Sequence, residues 1–96
     1  ELNTAAGLVR LGHSAAWVSR LPDNPLGRLV LNRVRESGVE PRVTLAADGR
    51  CGLYFLEEGA APRASGIVYD RAGSSFAVQP PDAFDWPRLL SGARWF

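Results

Sequence analysis

Apolar residues recur at helical spacing through the first third of the chain and at strand spacing from Pro41 onward. Ala5, Ala6, Leu8, Val9 and Leu11 form one stripe. They predict a first helix with Asn3 or Thr4 as its N-cap and Gly12 as the left-handed residue that closes it. Residues 14–19 carry little polarity and read as a strand covered on both faces, as in a parallel sheet. Pro22-Asp23-Asn24-Pro25 is a helix-start signal in which Asn24 or Asp23 caps and Pro25 suits the first helical position. The helix it opens is expected to place Leu26, Leu29, Val30 and Val34 on one face and to end at Gly38. Arg28, Asn32, Arg35 and Glu36 then form its solvated side.

Beyond Pro41 the period is two. Residues 43–45 predict a short strand, Asp48-Gly49 a turn, and residues 51–56 and 66–69 two further strands. The loose connection over residues 58–63 makes an antiparallel hairpin the economical pairing, which brings Tyr54 onto a strand close to the one bearing Tyr69. Gln79-Pro80-Pro81-Asp82 reads as an extended linker into a short helix over residues 84–90, where Pro87 is tolerated only in the first turn. Residues 93–96 read as the start of a buried strand. Strands alternating with helices predict an α/β layered fold with a largely parallel central sheet, from which the hairpin is the one departure.

Composition narrows the function classes. Ninety-six residues with 46% apolar content make one domain or a piece of one. A net charge of +1 with interspersed signs and no basic block points away from nucleic acid or a membrane surface as partner. The single cysteine, Cys51, cannot close an internal disulfide. It suggests a reducing compartment, the cytoplasm, and its apolar surroundings predict a buried structural thiol. One cysteine and the lone His13 do not supply the usual nitrogen and sulfur ligands of a metal site. There is no initiator methionine, and the final apolar run stops abruptly. Both ends are therefore expected to be truncations of a larger domain.

The candidate chemistry gathers at Gly66-Ile67-Val68-Tyr69-Asp70-Arg71-Ala72-Gly73. A strand that ends here points Tyr69 and Arg71 to the same face. An aromatic surface beside a guanidinium fork suits a small polar or anionic ligand. The alternative is a solvated strand end in which Arg71 pairs with Asp70 or Glu57. Asn3 likewise has two readings, as a helix cap or as a donor to a ligand at a helix N-terminus.

Asn3-Thr4-Ala5, Arg10-Leu11-Gly12, Val18-Ser19-Arg20 and Asp23-Asn24-Pro25-Leu26-Gly27 resemble the N-terminal signature region of the PfkB (ribokinase-like) sugar kinases. Gly52-Leu53-Tyr54-Phe55 and Val68-Tyr69-Asp70-Arg71-Ala72-Gly73-Ser74 look like matching strands of the 2-keto-3-deoxygluconate kinase branch. The 93–96 segment is similar to the family's next core strand. Two positions depart from the pattern. Pro22 stands where the signature usually carries glycine. Asp70 stands where the keto-deoxygluconate branch commonly has a second aromatic, and an Asp-Arg pair also occurs in fructose-type relatives.

The resemblance implies a partial ribokinase-like fold, residues 1–96 being the sugar-binding part of one carbohydrate-kinase domain. It implies ATP and Mg2+ as cofactors bound outside this stretch, and no catalytic or cofactor-binding residue within it. Asn3, Tyr54, Tyr69 and Arg71 are the implied substrate-binding residues, and the hairpin strands are implied as an oligomer contact. A stretch that contributes positioning without the general base is expected to be inactive by itself. Three functions stay open: binding 2-keto-3-deoxygluconate in an ATP-dependent kinase, the same role for a neutral sugar (fructose or ribose) or a nucleoside, and a standalone non-catalytic α/β binding module. Arg71 bears on the choice, because a sugar acid offers its guanidinium a carboxylate and a neutral sugar does not.

Overall fold

The computed structural model describes residues 1–96. Helix α1 (Leu2–Arg10) leads to strand β1 (Ala16–Pro22), helix α2 (Pro25–Glu36) and strand β2 (Glu40–Ala46). Strands β3 (Leu53–Glu57) and β4 (Gly66–Asp70) follow, then the single turn α3 (Trp86–Leu89). β1 and β2 pair in parallel, from Ala16 opposite Glu40 to Pro22 opposite Ala46. β3 and β4 form a separate antiparallel hairpin. This is the expected α/β arrangement of parallel sheet plus hairpin.

The parallel unit is built around the turn into α2. The Gly27 N–H donates to Asn24 Oδ1 at 3.0 Å, Pro25 occupies the first turn, and the Asp23 N–H donates to the Ala46 carbonyl at 2.7 Å. Pro22 therefore ends β1 without disturbing the turn, and its side chain is fully buried. A small residue is required at Gly27, because a Cβ there would stand 1.9 Å from the Pro22 carbonyl oxygen. That close approach rotates the buried stripe of α2 to Gly27, Val30, Leu31 and Val34. Leu26 and Leu29, expected on the buried face, are exposed instead.

Val34 packs with Ala5 of α1 and Val39, flanked by Leu2, Ala6, Val9, Ala15 and Trp17, to form the core. Glu1 stands at the cap position of α1, and Asn3 lies inside the first turn rather than capping it. Gly12 and Gly38 close their helices with φ of 86° and 77°, values that favour a residue without a Cβ.

Three other expectations are corrected. β1 begins and ends later than residues 14–19, because its ladder with β2 runs through Pro22. Cys51 precedes β3 and is only partly buried. Residues 93–96 are irregular, with Trp95 90% exposed. A strand needs a neighbour for its ladder, and these residues have none alongside. The Phe96 ring instead packs edge-on against Trp86, with centroids 5.7 Å apart. Arg42 donates to Glu40 at 3.0 Å and also to the Leu89 carbonyl, tying α3 to β2.

Candidate functional site

An open cleft of about 1580 Å³ lies between the hairpin, the parallel unit and the chain from Trp86 to Phe96. β1 contributes Trp17, Ser19 and Arg20, α1 contributes Thr4 and Leu8, and the hairpin contributes Tyr54, Tyr69 and Arg71. A smaller, polar hollow of about 540 Å³ lies between β2 and α3, lined by Glu40, Arg42, Asp85 and Arg88 among others.

Three of the four residues singled out from the sequence meet at the cleft. Tyr54 and Tyr69 are direct cross-strand partners, with ring centroids 6.4 Å apart and planes tilted by 47°. Such an opposed aromatic pair is the favourable unit of an antiparallel ladder. Both rings stay 65% and 61% exposed, so they are displayed rather than used as core. The Arg71 guanidinium lies over the Tyr69 ring, 5.0 Å from its centroid, as period two across Asp70 requires. Gly73, at φ 67°, turns the chain just beyond, and the Ser74 N–H donates to the Arg71 carbonyl at 3.2 Å. Asn3 does not join this group. It is exposed on α1, next to the cleft-lining Thr4 but outside the lining itself.

The charge partners expected for Arg71 are both occupied by other residues. Arg50 takes Asp70, donating to Oδ1 at 2.9 Å and closely to Oδ2. Arg63 takes Glu57 at 2.6 Å. Arg71 enters none of the five ion pairs in the structure, which leaves its guanidinium unneutralised at the cleft. Two arginines of the cleft were not legible as site residues. Arg20 on β1 has a buried Nε without a hydrogen-bond partner. Arg50 reaches Asp70 across twenty positions, and only the hairpin register could have exposed that signal. Burial pushes the Cys51 thiol above its ordinary pKa, so it stays protonated and poorly nucleophilic. No three His, Cys, Asp or Glu side chains converge to hold a metal ion.

A cationic fork stacked on one of two facing tyrosines can hold a carboxylate by two parallel hydrogen bonds while the phenols bond to hydroxyls. Comparison with known proteins gives that geometry its context. A 2-dehydro-3-deoxygalactonokinase of Haloferax volcanii is 49% identical over 82 residues, covering 85% of this chain and 26% of that protein. The crystal structure of a 2-dehydro-3-deoxygluconokinase from Thermotoga maritima superposes on all of this chain with a TM-score of 0.93 and 43% identity. The match covers 29% of that structure. A pfkB family carbohydrate kinase from Listeria grayi matches 96% of this chain and 29% of its own, with a TM-score of 0.87 and 36% identity. This chain thus spans between a quarter and a third of the length of such relatives. Residues 1–93 fit the pattern of the pfkB family carbohydrate kinases throughout the parallel unit, the hairpin and α3, and the chain belongs to that family.

Proposed function

We propose that this chain forms the sugar-binding part of an ATP-dependent kinase that phosphorylates a 2-keto-3-deoxy sugar acid, 2-keto-3-deoxygluconate being the leading candidate. The observation that carries the reading is the state of Arg71: stacked on Tyr69, open to the cleft and without a carboxylate of its own. A sugar acid supplies that carboxylate, whereas fructose, ribose or a nucleoside does not. The two relatives named for 2-dehydro-3-deoxy sugar acids support the same class.

In this reading Arg71 grips the carboxylate and fixes the sugar end to end, while Tyr54 and Tyr69 bond to its hydroxyls. The family resemblance also offers Asn3, which lies on α1 next to the cleft-lining Thr4 and caps no helix end, as a hydroxyl contact. ATP supplies the transferred phosphoryl group, with Mg2+ as its expected counterion. The contribution of these residues is to hold one hydroxyl in line, the kind of positioning on which phosphoryl transfer mainly depends. The hairpin face opposite the tyrosines carries the exposed Phe55 and Val68, which we assign to contact between copies of the protein. The absence of disulfide chemistry at Cys51 fits a cytoplasmic setting.

The test is Arg71→Ala in the full-length protein, assayed with a 2-keto-3-deoxy sugar acid and with a neutral ketose. Removing the partner of a desolvated carboxylate should cost about 2–5 kcal/mol, at least about 30-fold in kcat/KM. Arg71→Lys should recover only part, since a point charge lacks the two-pronged geometry. An equal loss for acid and neutral sugars would make Arg71 structural and sink the assignment.

A further inference from the structure

The charge balance around Arg71 is set by a residue outside the tyrosine–arginine group. Asp70 immediately precedes Arg71, and an unpaired carboxylate there would compete for the guanidinium and repel an arriving anion. Both of its oxygens are instead held by Arg50. The same guanidinium donates to the Asp70 carbonyl at 3.1 Å and to the Ala72 carbonyl at 2.9 Å, so its hydrogen bonds bracket Arg71 on both sides. The Arg50 backbone completes the attachment, its carbonyl accepting from the Ser75 N–H at 2.9 Å. The Arg50 and Asp70 side chains are 39% and 50% exposed, too open to solvent for the pair to contribute much to stability. Its effect on local charge is larger: Arg50, Asp70 and Arg71 together carry one net positive charge, and without Arg50 they carry none.

We propose that Arg50 is a positioning and specificity-determining residue for an anionic substrate, acting by neutralising Asp70 so that the Arg71 guanidinium stays uncompensated where it faces the cleft. The inference rests on the sugar-acid reading and adds the means by which an Asp-Arg sequence, rather than an aromatic-Arg one, still admits a carboxylate. Arg50 touches no substrate; it acts through Asp70.

The experiment compares the full-length protein with its Arg50→Ala, Asp70→Ala and Arg50→Ala/Asp70→Ala variants, using a 2-keto-3-deoxy sugar acid and a neutral ketose. Arg50→Ala should raise KM for the acid about tenfold, within the range for coupled neighbours, with kcat and the neutral-sugar KM little changed. The double variant restores the net positive charge, and its acid KM should return to within about threefold of the parent protein. The side-chain hydrogen bonds from Arg50 to the Asp70 and Ala72 carbonyls are missing in both variants, so a clamp with a purely structural role predicts no recovery. A double variant as impaired as Arg50→Ala, or a neutral-sugar KM that rises in parallel, overturns the proposal. Circular dichroism separates loss of fold from loss of charge, and if Arg50→Ala fails to fold, Arg50→Gln with the same Asp70→Ala rescue carries the same comparison. Arg71→Ala is assayed alongside. If it discriminates acid from neutral sugar while the Arg50 variants do not, only the Arg50 assignment fails. If Arg71→Ala does not discriminate, the carboxylate reading fails and takes the assignment with it.

Discussion

Gly27→Ala provides a stringent test of how the parallel unit is assembled, because one methyl group is placed where the backbone leaves no room. Its Cβ would sit 1.9 Å from the Pro22 carbonyl oxygen and 3.0 Å from the carbonyl carbon. Both atoms belong to the end of β1, which is held by its ladder to β2, so no flexible side chain can swing aside. The N-terminus of α2 must retreat by roughly 1.4 Å to bring the contact to about 3.3 Å. That retreat stretches the 3.0 Å bond from the Gly27 N–H to Asn24 Oδ1 beyond useful length. Overpacking of this kind costs about 1–3 kcal/mol, and a lost N-cap costs about 1 kcal/mol more. The expected total of about 2–4 kcal/mol is measured as a drop in urea midpoint at unchanged slope, followed by far-ultraviolet circular dichroism. Gly7→Ala is the internal control. Gly7 lies inside α1 and its added Cβ meets nothing within 4 Å, so the same substitution should stabilise by about 0.5–1 kcal/mol. Equal or reversed signs for the two alanines would refute the close-approach argument.

Further outcomes follow from the site and its supports. Tyr69→Phe keeps the platform under Arg71 and removes one neutral hydrogen bond, so sugar-acid kcat/KM should fall by the equivalent of about 0.5–1.5 kcal/mol; an unchanged value means the phenol contacts no substrate. Asn24→Ala removes the cap of α2 and should lower stability by about 1 kcal/mol, seen as a fall in Tm, with no preference between acid and neutral sugars in the steady-state assay. The Cys51 thiol, raised by burial, should alkylate with iodoacetamide more slowly than an unstructured cysteine peptide at pH 8, and equal rates would contradict its partial burial. Because that pKa is higher folded than unfolded, its contribution to stability is complete below the ordinary thiol range and is lost as pH rises through the folded pKa.

Much of the fold was legible in the sequence because its determinants are local. Asn24-Pro25 specifies a helix start through one side-chain bond and one fixed φ, and the structure contains both. The strand pattern over residues 51–56 and 66–69 is enough to define a hairpin and to place Tyr69 and Arg71 on one side, and the structure forms it over Leu53–Glu57 and Gly66–Asp70. Tertiary packing decided matters in which several local solutions were equally good. Asn3 and Thr4 were adequate caps, yet both lie within α1, and Ala5 beside them packs against Val34 and Val39. Leu26 is the more apolar neighbour of Gly27, yet Gly27 faces inward because only a residue without a Cβ fits against Pro22. The partner of Asp70 was open in the same way. Arg71 adjoins it in sequence, but Arg50 reaches it through the hairpin register and leaves Arg71 free. Sequence determines which residues can make an ion pair or enter a core. Which of them do so depends on distances set by chain segments far apart, and those distances exist only once the sheet and hairpin have formed.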